Sequence, residues 1–576
     1  MVELSETRTL RVAVVVLIVV SLACFLVGMI RASSAAWVSD DAFISFRYAE
    51  NLAEGKGLVF NPGERVEGYT NFLWTMWCAL AIRLGANPVP WSLVWGVVFY
   101  CGSIALLVVY HLRLRREAAI TAVSVPIGAM VAALHGEWSV FAVGGLETSL
   151  FTFLALWGFL LLTKHTEPNL PHFFGAGVVF GAAALTRPDG VIFAAVAAVW
   201  VIAVERSSLA SAARASVVLV FGFLVLWLPF MMWRIGYYGE VFPNTYYAKS
   251  AYLSWFSQGV PYVLLFFSKY WVLLTAIPVL IVVNGLWRDG RSDERGYDWW
   301  KRQVVLALAF IGAYTFFVAK VGGDFMFGRF LVPTVPFWAV LLDLGLIGFV
   351  GRPLVYFGMT AVVGFGLLVS PTPDADAMAR FGVVDEARHY SPSLVDQVER
   401  RAEVMKRYFE GLHVSVGFTG SEARLIYLSG VTHAIECETG LNDLEIARQD
   451  LPERGRPGHE KHAGLDYLVE RHRVNFVLNP YAWWIVGAEG RIPALPVELD
   501  GIQILPLFWD PEVMRELEQR GARFRDCTVM IDEVISNLDQ MDPRLVAGVY
   551  AGLKRFYFDH VNDPEREAAF KQCLHP

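Results

Sequence analysis

Long apolar runs recur along the first 370 residues of this chain, and they limit its fold more than any other feature. They are 12–30, 91–111, 118–134, 148–163, 172–186, 191–204, 215–234, 260–284, 303–319, 330–349 and 354–370. Several are long enough to cross the hydrocarbon of a bilayer. No water is available there, so every backbone N–H and C=O must be bonded within the protein. Only helices and closed barrels meet that condition. The runs lack the alternation of a barrel strand and read as helices. The sequence therefore predicts an α-helical polytopic membrane protein with about 11 transmembrane helices. Composition agrees: 55% of the 576 residues are hydrophobic and 18% charged, with a mean hydropathy of +0.45. A net charge of −7 without a basic block argues against a nucleic-acid partner. Val12–Ile30 exceeds an ordinary signal-peptide core and no small-residue cleavage site ends it, so it reads as a retained first span.

Lys and Arg set the orientation. Arg8, Arg11, Arg113, Arg115, Arg116, Lys164, Arg206, Arg214, Arg288, Arg291, Arg295, Lys301 and Arg302 share one side if 72–85 does not span. That stretch is short, contains Arg83 and ends in Gly-Ala-Asn-Pro, so it reads as an interfacial helix within a first outer loop, 31–90. The polar clusters then gather on the outer face: Asp40-Asp41, His135–Trp138, Gly144–Thr148, Thr186–Gly190, Tyr237–Lys249 and Gly322–Arg329. Polar groups near membrane depth are costly and usually serve function. Pro371–Asp376 is a break. The chain is thus expected to form a membrane domain, 1–370, and a C-terminal mixed α/β soluble domain, 371–576, on the outer side. Ser393–Phe409 reads as helix; Leu425–Leu428, Val474–Leu478 and Gly501–Pro506 read as strands. Cys24, Cys78 and Cys101 read as packing residues. Cys437, Cys527 and Cys573 allow one disulfide and leave one thiol, with the pair left open.

Asp40 and Asp41 are the sharpest chemical signal. Adjacent carboxylates raise each other's proton affinity, which suits a general base acting on a sugar hydroxyl. A divalent metal, if one is used, would sit on the same pair. The competing reading is helix capping at a solvated loop. Tyr247 and Lys249 suit a lipid phosphate, against the alternative of an interfacial aromatic belt with a snorkelling lysine. Arg329 suits phosphate and Asp324 a sugar, against a tight turn closed by its own ion pair. Arg187, beside Asp189, suits phosphate, against a self-paired hairpin. Glu147 and His135 are weaker candidates. Thr439–Asp443 and Arg454–Lys461 are rich in sugar-capable groups, His459 among them. No Walker loop, zinc spacing or dinucleotide fingerprint stands out, which argues against a cytoplasmic nucleotide-sugar donor and for one carried on a lipid phosphate.

The ordered series Val38–Tyr48, Glu67–Trp74, Gly145–Ser149, Thr186–Gly190, Tyr238–Lys249, Gly322–Pro333, Gly440–Asp443 and Arg454–Lys461 resembles a known group. It is similar to the GT-C superfamily of polyprenyl-phosphate-sugar glycosyltransferases, and within it to the mycobacterial terminal β-(1→2) arabinofuranosyltransferases (AftB). That group is related to the family of the flagellar motor control protein ZomB. The resemblance covers nearly the whole chain. It implies a decaprenyl-phosphoryl-arabinofuranose donor and an arabinan acceptor, at the non-reducing ends of arabinogalactan and lipoarabinomannan. It implies the plasma membrane, with the active site on the periplasmic face. Asp40 and Asp41 match the family's acidic pair. Arg187, Lys249, Arg329 and Tyr247 would face the donor phosphate. Tyr69, Asn71, Trp74, Glu147, Asn244, Asp324 and His459 would face sugar or acceptor. Donor and product are both β-linked, so configuration is retained and a simple inverting base does not suffice. Two alternatives stay open: the same fold acting on another polyprenyl-phosphate sugar, and a non-enzymatic scaffold or transporter.

Overall fold

The computed structural model describes residues 2–163, 170–204, 208–289, 294–419, 422–451, 454–455, 459–478 and 492–574. Lys164, Arg206 and Arg291 of the charge pattern, and 456–458 of the Arg454–Lys461 motif, lie outside them. The chain forms two compact units. The first comprises Met1–Ser45, Thr70–Val241 and Ala251–Tyr390; the second comprises Phe46–Tyr69, Phe242–Ser250 and Ser391–Pro576. The sequence break at 371 therefore falls inside the first unit, which runs on to Tyr390.

The first unit is helical. Among the described residues, five helices are long and apolar enough to cross a membrane: Arg11–Ser34, Pro88–Glu117, Leu209–Tyr238, Asp298–Val321 and Val332–Phe349. The pair Phe256–Lys269 and Trp271–Gly285, bent by 82°, makes a sixth crossing if it counts as one span. Phe72–Arg83, Thr148–Leu162, Leu170–Thr186, Pro188–Ala203 and Pro353–Leu368 are shorter apolar helices. The chain is a multi-pass membrane protein. Val332–Phe349 is 94% buried where the other four long helices are 28–33% buried, so it is the core of the helical unit. Other helices expose apolar side chains, such as Leu22 and Val199, as lipid contact requires.

One expected span is corrected. Within 118–134 only Ile127–Leu134 is helical. The preceding helix, Pro88–Glu117, runs past its apolar stretch and is followed by Ala119, whose φ is +50°. Pro126 then marks the restart. Eight residues are too few to span.

Glycines set how closely some helices approach. A Cβ on Gly177 would lie 2.0 Å from the Leu219 carbonyl oxygen, and one on Gly222 would lie 2.3 Å from that of Phe174. Leu170–Thr186 and Leu209–Tyr238 thus pack backbone to backbone, the small-residue contact typical of membrane helices.

The second unit carries a five-stranded sheet of order β2-β1-β3-β5-β4. The strands are β1 Ser415–Phe418, β2 His433–Glu436, β3 Phe476–Val477, β4 Val497–Leu499 and β5 Ile502–Pro506. β1 runs parallel to β2 and β3, and β5 is antiparallel to β3 and β4. Asp500 and Gly501, at φ +44° and +90°, make the β4–β5 hairpin turn that needs left-handed residues. Helix Pro392–Phe409 matches the expected Ser393–Phe409. Leu425–Leu428 is corrected: it lies in helix Ala423–Ser429, ended by Gly430 at φ +68°. The expected disulfide is also absent, because all six cysteines are free. Cys437 follows β2, Cys527 opens helix Cys527–Ile535 and Cys573 lies on the last helix.

Candidate active site

In the first unit, four stretches far apart in sequence converge on two arginines. Asp40 and Asp41 open helix Asp40–Ala53. Both stand in the first turn, where the helix dipole favours carboxylates. Asp40 is buried, while the Asp41 side chain keeps 34% of its surface exposed. Arg329 Nη1 lies 3.5 Å from Asp41 Oδ2 and 3.6 Å from Asp324 Oδ2, and its Nη2 lies 3.5 Å from Glu147 Oε1. Arg187 reaches the same Glu147 oxygen at 3.4 Å.

The loops are fixed by their local chemistry. Gly145 has φ +76°, and a Cβ there would sit 3.0 Å from Val38 and 3.1 Å from Ala42. Only glycine lets the loop press against the start of the Asp40 helix. Trp74 Nε1 donates to the Gly145 carbonyl at 3.0 Å, and Asn71 Nδ2 donates to Glu147 Oε2 at 3.0 Å. Ser45 and Thr75 hydroxyls, each 3.0 Å from Asn71 Oδ1, fix that amide. Phe327 N donates to Val384 O at 2.9 Å and Val384 N to Phe325 O at 2.8 Å, pinning the loop that carries Asp324 and Arg329. Tyr262, fully buried, adds a bond to Met326 O at 2.9 Å.

The two arginines are held differently. Arg187 forks onto Asp189, with Nε–Oδ1 3.1 Å and Nη2–Oδ2 2.9 Å. Tyr314 OH closes on Asp189 Oδ2 at 2.5 Å, and the guanidinium lies over Phe330 at 4.7 Å. Arg329 has only the longer contacts, and its buried Nε has no hydrogen-bond partner. Burial raises the Glu147 carboxyl, but Arg329 first and Arg187 next more than offset this and hold it below the usual carboxylate range.

Asp41, Asn71, Trp74, Glu147, Asp324, Arg187 and Arg329, all singled out by sequence, thus meet in one cluster. Their division of labour differs from the expectation. Trp74 is 1% exposed, so it positions the glycine loop and presents no face to a sugar. Asn71 serves Glu147 in the same way. Asp189, which the sequence offered as the partner in a self-paired hairpin, and Tyr314, which it did not single out, lock Arg187. Only the Arg187-Pro-Asp189 adjacency hinted at the first; nothing local marks Tyr314. Asp40 and Asp41 are not part of any three-ligand group suited to a metal; among the described residues that arrangement occurs at Glu64, His433 and His472. Asp41 faces a guanidinium, which opposes a cation there.

His135, also in the first unit, caps the next helix by accepting from Trp138 N at 3.2 Å; the remaining candidates belong to the second unit. Tyr69 is buried, its ring 4.8 Å from that of Tyr48. Asn244 Nδ2 clasps the carbonyls of Gly440 at 2.7 Å, Leu441 at 2.9 Å and Asp443 at 3.1 Å. Tyr247 lies under Arg448, 4.8 Å from ring to guanidinium, and Lys249 is exposed at the end of helix Asn244–Ala248. His459 Nδ1 is 3.6 Å from Glu438 Oε2.

No family model matches the chain. It is 29% identical over 408 residues to the terminal β-(1→2)-arabinofuranosyltransferase of Mycobacterium tuberculosis, covering 62% of each. It is 28% identical over 348 residues to the protein of that name from Corynebacterium glutamicum, covering 54% of this chain and 48% of the relative. The match thus spans less than two thirds of the relatives' own lengths. The crystal structure of ArnT from Cupriavidus metallidurans bound to undecaprenyl phosphate superimposes with a TM-score of 0.52 at 12% identity, over 86% of this chain and 97% of that one. The chain therefore shares the fold of ArnT and is similar in sequence to terminal β-(1→2)-arabinofuranosyltransferases.

Proposed function

We propose that this protein is a polyprenyl-phosphate-sugar-dependent arabinofuranosyltransferase. It moves arabinofuranose from decaprenyl-phosphoryl-arabinofuranose to the non-reducing ends of arabinogalactan and lipoarabinomannan, forming terminal β-(1→2) linkages. It works in the plasma membrane with the site on the periplasmic face. The observation that carries the reading is the Asp41–Arg329 pair, 3.5 Å apart at the most exposed corner of an otherwise buried charge cluster. The sequence similarity supports the sugar, and the ArnT fold supports a lipid-phosphate donor.

Retention requires the leaving phosphate and the incoming hydroxyl to act on the same face of the sugar. A carboxylate beside a guanidinium supports that arrangement. Asp41 accepts a hydrogen bond from the acceptor hydroxyl and takes its proton as the new bond forms. Arg329 offers its unused Nε–H and its loosely held Nη groups to the departing phosphate and stabilises the developing charge. Arg187 and Glu147 keep Arg329 in place. Asp324 lies next to the same guanidinium, where it orients the sugar.

The test is transfer of labelled arabinose from decaprenyl-phosphoryl-arabinose to a short synthetic arabinan by the purified full-length protein. Wild type should transfer and Asp41→Asn should lose at least ~100-fold, the usual weight of a positioned base. An Asp41→Asn protein as active as wild type would remove Asp41 from the mechanism. Folded wild type that transfers nothing would overturn the substrate assignment.

A further inference from the structure

A second cluster lies wholly within the second unit. Glu64, His433 and His472 each present one ligand atom, and the three atoms lie within 4.8 Å of one another. They come from three separate stretches: the 54–71 loop, the first residue of β2, and the residue ending the π-turn Tyr467–Arg471. His433 Nε2 is 3.0 Å from Glu64 Oε1. A simple ion pair would account for those two residues alone. It does not account for the third side chain, nor for what lies behind all three.

Each group is braced from the far side. Ser415 Oγ bonds His433 Nδ1 at 2.7 Å, which leaves Nε2 as the working nitrogen. Asp443 Oδ2 lies 2.9 Å and Tyr467 OH 3.0 Å from His472 Nε2, which turns Nδ1 inward. Asn61 Nδ2 donates to Glu64 Oε2 at 2.9 Å, which leaves Oε1 for the cluster. Metal-bound histidines characteristically give their other ring nitrogen to a carboxylate, hydroxyl or carbonyl, which fixes tautomer and ring direction. The π-turn before His472, followed by Arg473 at φ +48°, is a backbone choice that places this side chain at some cost.

We infer that Glu64, His433 and His472 form a divalent transition-metal site, of the class that takes zinc. Two imidazoles and one carboxylate suit such an ion, while magnesium and calcium prefer all-oxygen shells. All three residues are half-buried, so the site is reachable and keeps a position open to water. A bound ion would fasten the 54–71 loop to the first residue of β2, which makes its role one of stability.

The test uses the full-length protein in detergent, stripped with chelator and dialysed, then exposed to ZnCl2 or MgCl2. Metal content and melting temperature are the readouts, and neither depends on transferase activity. One zinc per chain, no retained magnesium and a zinc-dependent rise in melting temperature are expected. Glu64→Gln, nearly isosteric, and His433→Ala should each weaken zinc binding at least ~10-fold, as should Asp443→Asn through His472. No stoichiometric zinc in wild type, or zinc binding unchanged in both Glu64→Gln and His433→Ala, would overturn the site.

Discussion

Arg187 and Arg329 share Glu147, yet the difference in how they are held assigns them different work. Arg187 forks onto Asp189, which Tyr314 holds in turn, and lies against Phe330. Removing it leaves Asp189 buried without its countercharge and Glu147 with Arg329 alone, and an unpaired buried charge costs about 3–5 kcal/mol. Arg187→Gln should therefore lower the melting temperature and the folded yield. Arg329 has longer contacts and an unused Nε. Arg329→Gln should instead cut turnover by about 100- to 1000-fold, the weight of a lost charge-stabilising donor, with a smaller effect on melting. Thermal unfolding beside initial rates separates the two; equal loss of stability in both variants would erase the distinction. Sequence alone had both arginines as phosphate ligands, because it sees residue type and neighbourhood and not saturation. Asp41 and Arg329 are 288 positions apart and Asn71 and Glu147 are 76 apart. Those pairings follow from helix packing, to which no local pattern points. What was legible was the set of polar clusters interrupting an apolar chain, since each is costly there and has to be answered by something.

At the scale of elements, hydropathy located most helices but not their ends. The apolar run 118–134 begins with residues that are not helical, because apolar content does not register a positive φ at Ala119 or a restart at Pro126. Leu425–Leu428 is too short for periodicity to separate strand from buried helix. The close approach of Leu170–Thr186 and Leu209–Tyr238 is more specific. It depends on Gly177 and Gly222, whose missing Cβ atoms would collide with backbone that cannot move aside. Gly222→Leu should destabilise by at least the ~1–3 kcal/mol of ordinary overpacking. Gly236, on the same helix, has nothing within 4 Å of a Cβ, and Gly236→Ala should be neutral or slightly stabilising. Thermal unfolding in detergent, read by size-exclusion retention, distinguishes them. A Gly222→Leu protein as stable as Gly236→Ala would mean that the two helices are held by something other than their glycines.

At the scale of the molecule, the two units are not consecutive in the chain. Composition marks where hydropathy changes and so places a boundary near 371. It cannot show that the polar segments 46–69 and 242–250 belong with the C-terminal sheet. The reason for that membership is a sheet edge. β2 is terminal in the strand order, and an open edge leaves backbone groups unpaired and prone to association. Asn61 acts there as a partner strand would. Its Nδ2 donates to the Ala434 carbonyl at 2.9 Å, and its Oδ1 accepts from the Ala434 N–H at 3.0 Å. Arg47 lies over Phe60 at 4.4 Å and donates to the carbonyls of Phe60 and Thr432, bracing the same segment. Asn244 performs a similar service for the 440–443 turn. A fragment of residues 371–576 lacks all three residues. It should therefore unfold without a sharp cooperative transition, bind a hydrophobic dye and associate with itself. Within the full chain, Asn61→Ala should lose three buried hydrogen bonds, two with Ala434 and one from Arg47, and cost about 2–3 kcal/mol, while Asn61→Asp, which keeps the acceptor but not the donor, should cost less. A fragment that melts cooperatively as a monomer would show that the sheet protects its own edge, and Asn61 would then be a bystander to the second unit's fold.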